Sequence, residues 1–301
     1  MKTAHKNIIA GSVLVAALPL LLAQCTRVKK DDDFKTSTPP PIGSYNNSSE
    51  VASANLMAYW SFDAGTSKEE KSGAMAVTEN NATYVAGKKG KAVNLNRGFL
   101  AYNEIAALNS LPNYTITAWI NIANNRGTGN DGATNIFTMT RDASPTAYEW
   151  AGNVNMMMET GTYGVNSDTL MVKALNVTNT NGNQNWQDSR NDPPQGGVQN
   201  FQGARKWVQV AISWDGATNK LLVYGNGQKI SNPAWETRSG GPLTFWTPTR
   251  PVIGGWGTNV KGNPDGWQQK FFGMIDEVRV YNKALTAAEM DALYRLEKAG
   301  R

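Results

Sequence analysis

The sequence predicts an all-β protein, a two-sheet antiparallel jelly-roll β-sandwich with a short C-terminal helix. Three observations lead there. Short apolar runs alternate with a period of two, as in Tyr114–Ile122 and Trp207–Trp214. Clusters of Gly, Asn and Pro separate the runs, and Gly225-Asn226-Gly227 signals a hairpin because these residues accept positive φ. Strands and helices do not alternate along the chain, so a parallel α/β sheet is not expected. Many antiparallel strands with turns between them mean a sandwich or jelly roll.

The chain has 301 residues, enough for one large all-β domain or two small ones. Charged residues make up 18% and the hydrophobic set 40%, ordinary values for a globular protein. The formal charge is +5. Removal of a segment holding Lys2 and Lys6 lowers it to about +3, too little and too evenly spread to argue for nucleic acid. The only histidine is His5 and the only cysteine is Cys25. The rest of the chain therefore excludes a disulfide, a Ser-His-Asp triad, an imidazole base and a histidine-based zinc site.

At the N-terminus, Lys2 and Lys6 precede the apolar run Ile8–Leu22. A run of about 15 residues is short for a spanning helix, which needs about 20, and fits a signal peptide. It ends in Leu22-Ala23-Gln24-Cys25, which resembles the lipobox of bacterial lipoproteins, with Gln24 departing from the usual small residue. The resemblance implies a signal peptide over 1–24, lipidation of Cys25 and a membrane anchor made of several acyl chains. Lys29-Lys30-Asp31-Asp32-Asp33 is similar to the surface-export signal of Bacteroidota lipoproteins; the alternative is a solvated charge cluster. Together these imply an outer-membrane, surface-exposed lipoprotein. Thr36–Ser49 has too little apolar content to fold alone, and Pro39-Pro40-Pro41 stiffens it, so residues 25–52 read as a stalk and 53–301 as the folded module.

Within the module, Ile116, Ala118, Ile120 and Ile122 share one strand face, and Thr115, Thr117, Trp119 and Asn121 the other. Val208, Val210, Ile212 and Trp214 repeat the pattern, Leu221–Tyr224 leads into the hairpin turn, and Phe271–Tyr281 is the last strand. Thr286-Ala287-Ala288-Glu289 is a capping box, with Leu285 and Met290 placed for a hydrophobic staple. Met290, Leu293 and Tyr294 form the apolar face of the helix that follows.

Leu56–Asp63, Gly87–Leu95, Tyr114–Ile120, Lys206–Ala211 and above all Phe272–Thr286 resemble bacterial laminin-G-like, concanavalin A-like jelly-roll domains. The resemblance runs from about residue 55 to 298. It implies the fold directly, and glycan binding, adhesion or an accessory role beside enzymes as functions. Extra length lies between Asn124 and Arg205 and between Ser231 and Gln269.

Of ten tryptophans, Trp60, Trp119, Trp207 and Trp214 fall on strand or family motifs and are expected to pack. Trp150, Trp186, Trp235, Trp246, Trp256 and Trp267 lie in polar, loop-like stretches. An exposed indole face stacks on sugar C–H groups while neighbouring Asn, Asp and Gln bond the hydroxyls. Candidate carbohydrate-binding residues are thus Trp186, Asp188, Trp235, Trp246, Trp256, Asp265, Trp267 and Gln268; the alternative for each indole is packing beneath the loops.

A glycosidase needs paired carboxylates about 5–10 Å apart. The E-x-D-x-x-E strand motif of related jelly-roll glucanases is absent. Asp276 and Glu277, adjacent on a strand, are expected on opposite faces, and Glu277 with Arg279 as a structural ion pair. Asp63 and Asp276, at family motif positions, are candidates for a structural calcium ion, with turn and strand-end hydrogen bonding as the alternative. The expectation is a non-catalytic, surface-tethered lipoprotein that captures polysaccharide near transport or glycosidase machinery. The alternatives are a structural or adhesion module that binds protein, and a glycoside hydrolase with an unrecognised carboxylate pair.

Overall fold

The computed structural model describes residues 39–141, 150–192 and 200–301. The predicted signal peptide, Cys25, the Lys29–Asp33 cluster and the first part of the predicted stalk lie outside them. No helix among the described residues is long and apolar enough to cross a membrane.

The strands are β1 (Leu56–Trp60), β2 (Thr78–Ala86), β3 (Lys91–Ala101), β4 (Tyr114–Ile122), β5 (Ala133–Met139), β6 (Val154–Met158) and β7 (Val172–Thr180). There follow β8 (Asn183–Arg190), β9 (Val208–Asp215), β10 (Lys220–Gly225), β11 (Gln228–Lys229), β12 (Pro251–Ile253), β13 (Gln268–Gln269) and β14 (Phe271–Tyr281). Their ladder runs unbroken in the order β11-β10-β9-β4-β14-β3-β12-β5-β6-β7-β8. It curls until β9 and β10 lie against β7 and β8, which makes the two layers of the sandwich. The ladders are antiparallel except β13 on β5.

Apolar side chains of alternate residues meet between the layers. Ile116, Ala118, Ile120 and Ile122 of β4 and Val208, Val210, Ile212 and Trp214 of β9 enter one cluster with Phe137, Met139, Val154 and Met156. This is the face the alternation predicts. At the centre Trp60 lies edge-on to Tyr102 (5.5 Å) and tilted to Phe137 (5.6 Å). Burying one such large side chain contributes about 1.5–3 kcal/mol.

The opposite face of β4 is also buried, because α2 (Ala287–Lys298) covers it. Thr286 Oγ1 accepts from Glu289 N (3.2 Å) and Thr286 N donates to the Glu289 carboxylate (2.8 Å), so the predicted capping box forms. Leu285, Met290, Leu293 and Leu296 pack on Ala211, Tyr224 and Tyr281. Trp119 stacks on Tyr294 (5.6 Å, 19°) and its indole N–H donates to Glu297 (2.7 Å).

The module starts before residue 53. Ile42 and Tyr45 bond each other, Ser48 N donates to Arg301 O (3.2 Å), and the Arg301 guanidinium reaches the Asn46 and Pro40 carbonyls. Val51 is buried beside Leu293. Residues 40–52, low in apolar content, hold position through backbone groups and α2, which composition does not reveal.

Asp276 and Glu277 do not diverge. A bulge in β14 sets Glu277 and Val278 opposite a single residue of β4, and Glu277 takes φ +50°. Both carboxylates then reach Lys89: Asp276 accepts from its backbone N–H (3.0 Å) and Glu277 lies 4.0 Å from its ammonium.

Candidate functional site

The polar run Asn183–Arg190, expected as loop, is strand β8. It is the outer partner of β7, with Val177 opposite Trp186 and Leu175 opposite Asp188. Alternation turns Gln187 and Ser189 inward and leaves Trp186 exposed (44%) on the outer face. On that face a second apolar cluster forms from Ala133, Ala151, Met157, Leu175, Val177 and Trp256.

Trp256 of this cluster meets three further indoles, directly or through Trp150. Trp150 is the hub, with ring centroids 5.4 Å from Trp186, 6.0 Å from Trp256 and 5.2 Å from Trp267. Trp256 stands edge-on to Trp267 at 5.2 Å (73°). Trp256 caps the short helix α1 (Gly257–Lys261) and is fully buried (0% exposed), its N–H shared between the carbonyls of Ala133 (3.3 Å) and Gln269 (3.2 Å). Trp267 is held through its own carbonyl, which accepts from Ala133 N (2.9 Å), and leaves its ring 40% exposed. The result is two exposed indoles braced by a half-buried one and a buried one.

The Arg141 guanidinium lies 5.7 Å from the Trp186 ring, and burial pushes it down to about 10, so it remains a cation at neutral pH. Asp188 sits two residues from Trp186 on the same strand face. Lys173 approaches both Asp188 (3.8 Å) and Glu159 (3.6 Å), and Arg238 approaches Asp188 (3.3 Å). These carboxylates keep lone pairs for hydroxyl donors while their charge is balanced.

The other predicted residues divide. Gln268 is buried and braces the Trp267 loop: its amide donates to Asp265 (3.0 Å) and its carbonyl accepts from Thr258 Oγ1 (2.6 Å) and Asp265 N (3.0 Å). Asp265 stays exposed at that loop. Trp256 is a support rather than an exposed face. Trp246 is 8% exposed and its backbone is clamped by the Asn153 amide, so it packs. Among the described residues Trp235 makes no ring contact with the other indoles; it is engaged by the guanidiniums of Arg190 (4.3 Å) and Arg238 (5.2 Å), the latter being the group that approaches Asp188. Trp150 was one of six loop-like indoles, and nothing in the sequence marks it as the hub. Trp60, Trp119 and Trp214 are buried and Trp207 is half-buried, as their strand positions require.

Asp63 and Asp276 hold the turn between β2 and β3. Asp63 accepts from Lys91 N (3.1 Å); Asp276 accepts from Lys89 N and Glu277 N (2.8 Å). Gly90 in this turn has φ +51°, and a Cβ there would push the Asp63 carboxylate away from Lys91 N, so both the backbone and the bond favour glycine. Burial raises Asp276 to about 8. Among the described residues no group of three potential acidic or imidazole ligands converges.

Glu277 and Glu297 share Arg279, at 2.7 and 2.8 Å, and all three side chains are buried. The predicted Glu277–Arg279 pair is therefore one arm of a triad. The Arg279 guanidinium also lies 4.0 Å from the Tyr59 ring.

Comparison with known proteins fits this architecture. Domain 4 of AbnA, a GH43 extracellular arabinanase from Geobacillus stearothermophilus, solved in complex with arabinotriose, superposes with TM-score 0.52 at 19% identity, covering 80% of this chain and 98% of that one. The binding domain of Paraclostridial Mosquitocidal Protein 1 gives 0.51 at 15% identity, over 80% of this chain and 52% of that one. Trypanosoma rangeli sialidase gives 0.51 at 15% identity, over 81% of this chain and 33% of that one. These likenesses show the fold. No curated protein matches the chain in sequence. A family model, Laminin_G_3, covers residues 97–291. The chain, with its curled antiparallel sandwich and C-terminal helix, thus belongs to the Concanavalin A-like lectin/glucanases superfamily.

Proposed function

We propose that this protein binds carbohydrate without cleaving it, holding a polysaccharide across Trp186, Trp150 and Trp267. One observation carries the reading: two exposed indoles braced from beneath by two others, on a sheet face where Asp188 offers acceptors. Rigid aromatic faces lose little entropy on binding, and each stacked ring can contribute about 1 kcal/mol or more. The arabinotriose complex of an AbnA domain with this fold supports a saccharide ligand.

The sequence motifs at Cys25 support tethering of the module to the outer-membrane surface by lipid, where captured glycan would be passed to transport or degradation machinery. Affinity electrophoresis against a polysaccharide panel tests the binding reading. Retardation by at least one glycan, lost in Trp186→Ala with Trp267→Ala, is expected; no retardation by any of them overturns it.

A further inference from the structure

A second feature adjoins the aromatic surface. The segment Trp267–Gln269 forms its edge, and Gln269 also lines a small open cleft of about 140 Å³. The cleft is lined by the end of β4 and the chain after it, by β5, and by the start of β14.

Three residues of its lining each carry a buried oxygen without a hydrogen-bond partner among the described residues: Asn124 Oδ1, Asn125 Oδ1 and Thr134 Oγ1. Asn124 is 2% exposed, and its amide donates to the Ser167 (3.1 Å) and Thr169 (2.8 Å) carbonyls. Those bonds fix the side chain, so Oδ1 is the atom left to accept. Unpaired buried polar atoms are rare in folded proteins and ask for a partner. Two amide oxygens and a hydroxyl in this state are matched by hydroxyl groups, which both donate and accept.

The cleft also carries two cations, Arg97 and Lys270. Among the described residues neither has a carboxylate within ion-pair distance; Lys270 donates to the Asn80 side chain (3.3 Å), and Arg97 lies 5.7 Å from the Phe272 ring. Phe272 is 60% exposed at the cleft wall, a face for an apolar ring surface. Neutral oxygens beside two unpaired cations do not suit a metal ion. They suit a ligand with hydroxyls, a ring face and a negative charge.

We infer that this cleft is a subsite for a sugar residue bearing a carboxylate: Arg97 and Lys270 bind the carboxylate, Asn124, Asn125 and Thr134 accept from hydroxyls, and Phe272 takes the ring face. The inference rests on the carbohydrate reading above and names the class of sugar beside the platform.

Titration calorimetry of the full chain with digalacturonate, sialyllactose, and neutral digalactose and lactose tests it. At least one acidic sugar is expected to bind ten-fold or more tighter than its neutral counterpart. The response to digalacturonate against sialyllactose tells a uronate from a sialate. Arg97→Gln with Lys270→Gln should abolish that preference while leaving neutral-polysaccharide retardation unchanged. Thr134→Val, which removes an unpaired oxygen at nearly constant shape, should raise Tm yet weaken the acidic sugar several-fold. Equal or absent binding of acidic and neutral sugars overturns the subsite, as does an acidic preference that survives the double substitution. Loss of neutral-polysaccharide retardation in wild type would instead overturn the platform reading.

Discussion

Arg279 of β14 donates to Glu297 near the end of α2 at 2.8 Å, with both side chains removed from water. Glu297 also accepts from Trp119 (2.7 Å) and Gln209 (2.8 Å), and Arg279 is shared with Glu277. A carboxylate near a helix C-terminus opposes the helix dipole, so these donors are what holds it there. They bind α2 to the sheet more specifically than its apolar face does.

Glu297→Ala should therefore destabilise by about 3–5 kcal/mol, the cost of leaving a buried partner uncompensated. Chemical denaturation measures this. A loss below about 1 kcal/mol would mean that Glu277 alone satisfies Arg279.

Asp276 gives the molecule a pH dependence. Burial raises its folded value to about 8, above the unfolded carboxylate range. Between about pH 4 and 8 the folded state then holds a proton that the unfolded state releases. The associated stability is complete below about pH 4 and is lost as pH rises through 8. Wild type should lose on the order of 1 kcal/mol per pH unit across that window relative to Asp276→Asn. Parallel stability profiles for the two proteins would refute the assignment.

Among the four indoles, binding and folding should separate. Trp186→Ala and Trp267→Ala remove exposed faces and should change stability by less than about 1 kcal/mol while weakening polysaccharide about ten-fold each. Trp256→Ala opens a cavity beneath them and should cost about 3–5 kcal/mol of stability. Melting curves and affinity gels on the same samples check the split. If Trp186→Ala unfolds the protein, the ring is structural.

The helix cap offers a smaller effect. Thr286→Ala removes the side-chain half of the capping box and should cost about 1 kcal/mol, read as a shift in denaturation midpoint with unchanged slope.

Anchoring is tested apart from the module. Metabolic labelling with a fatty-acid probe should mark wild type and not Cys25→Ala. Equal labelling of both would remove the lipoprotein reading and leave the binding site untouched.

The sequence by itself determined the elements whose cause is local. The two-residue alternation in Tyr114–Ile122 and Val208–Trp214 assigns the core face, Asn226 and Gly227 supply the positive φ of the β10–β11 turn, and Thr286 with Glu289 starts α2. Tertiary structure decided what depends on partners distant in the chain. β8 reads as loop because Asn, Gln and Asp dominate it, and it is a strand because β7 supplies the hydrogen-bond ladder. Trp186, Trp256 and Trp267 look alike in sequence, but only packing buries Trp256 and exposes the others. The convergence of Asp276 and Glu277 follows from a bulge against β4. Indole exposure and carboxylate direction are properties of the surroundings, and in this fold those surroundings come from segments up to about a hundred residues or more away in the chain.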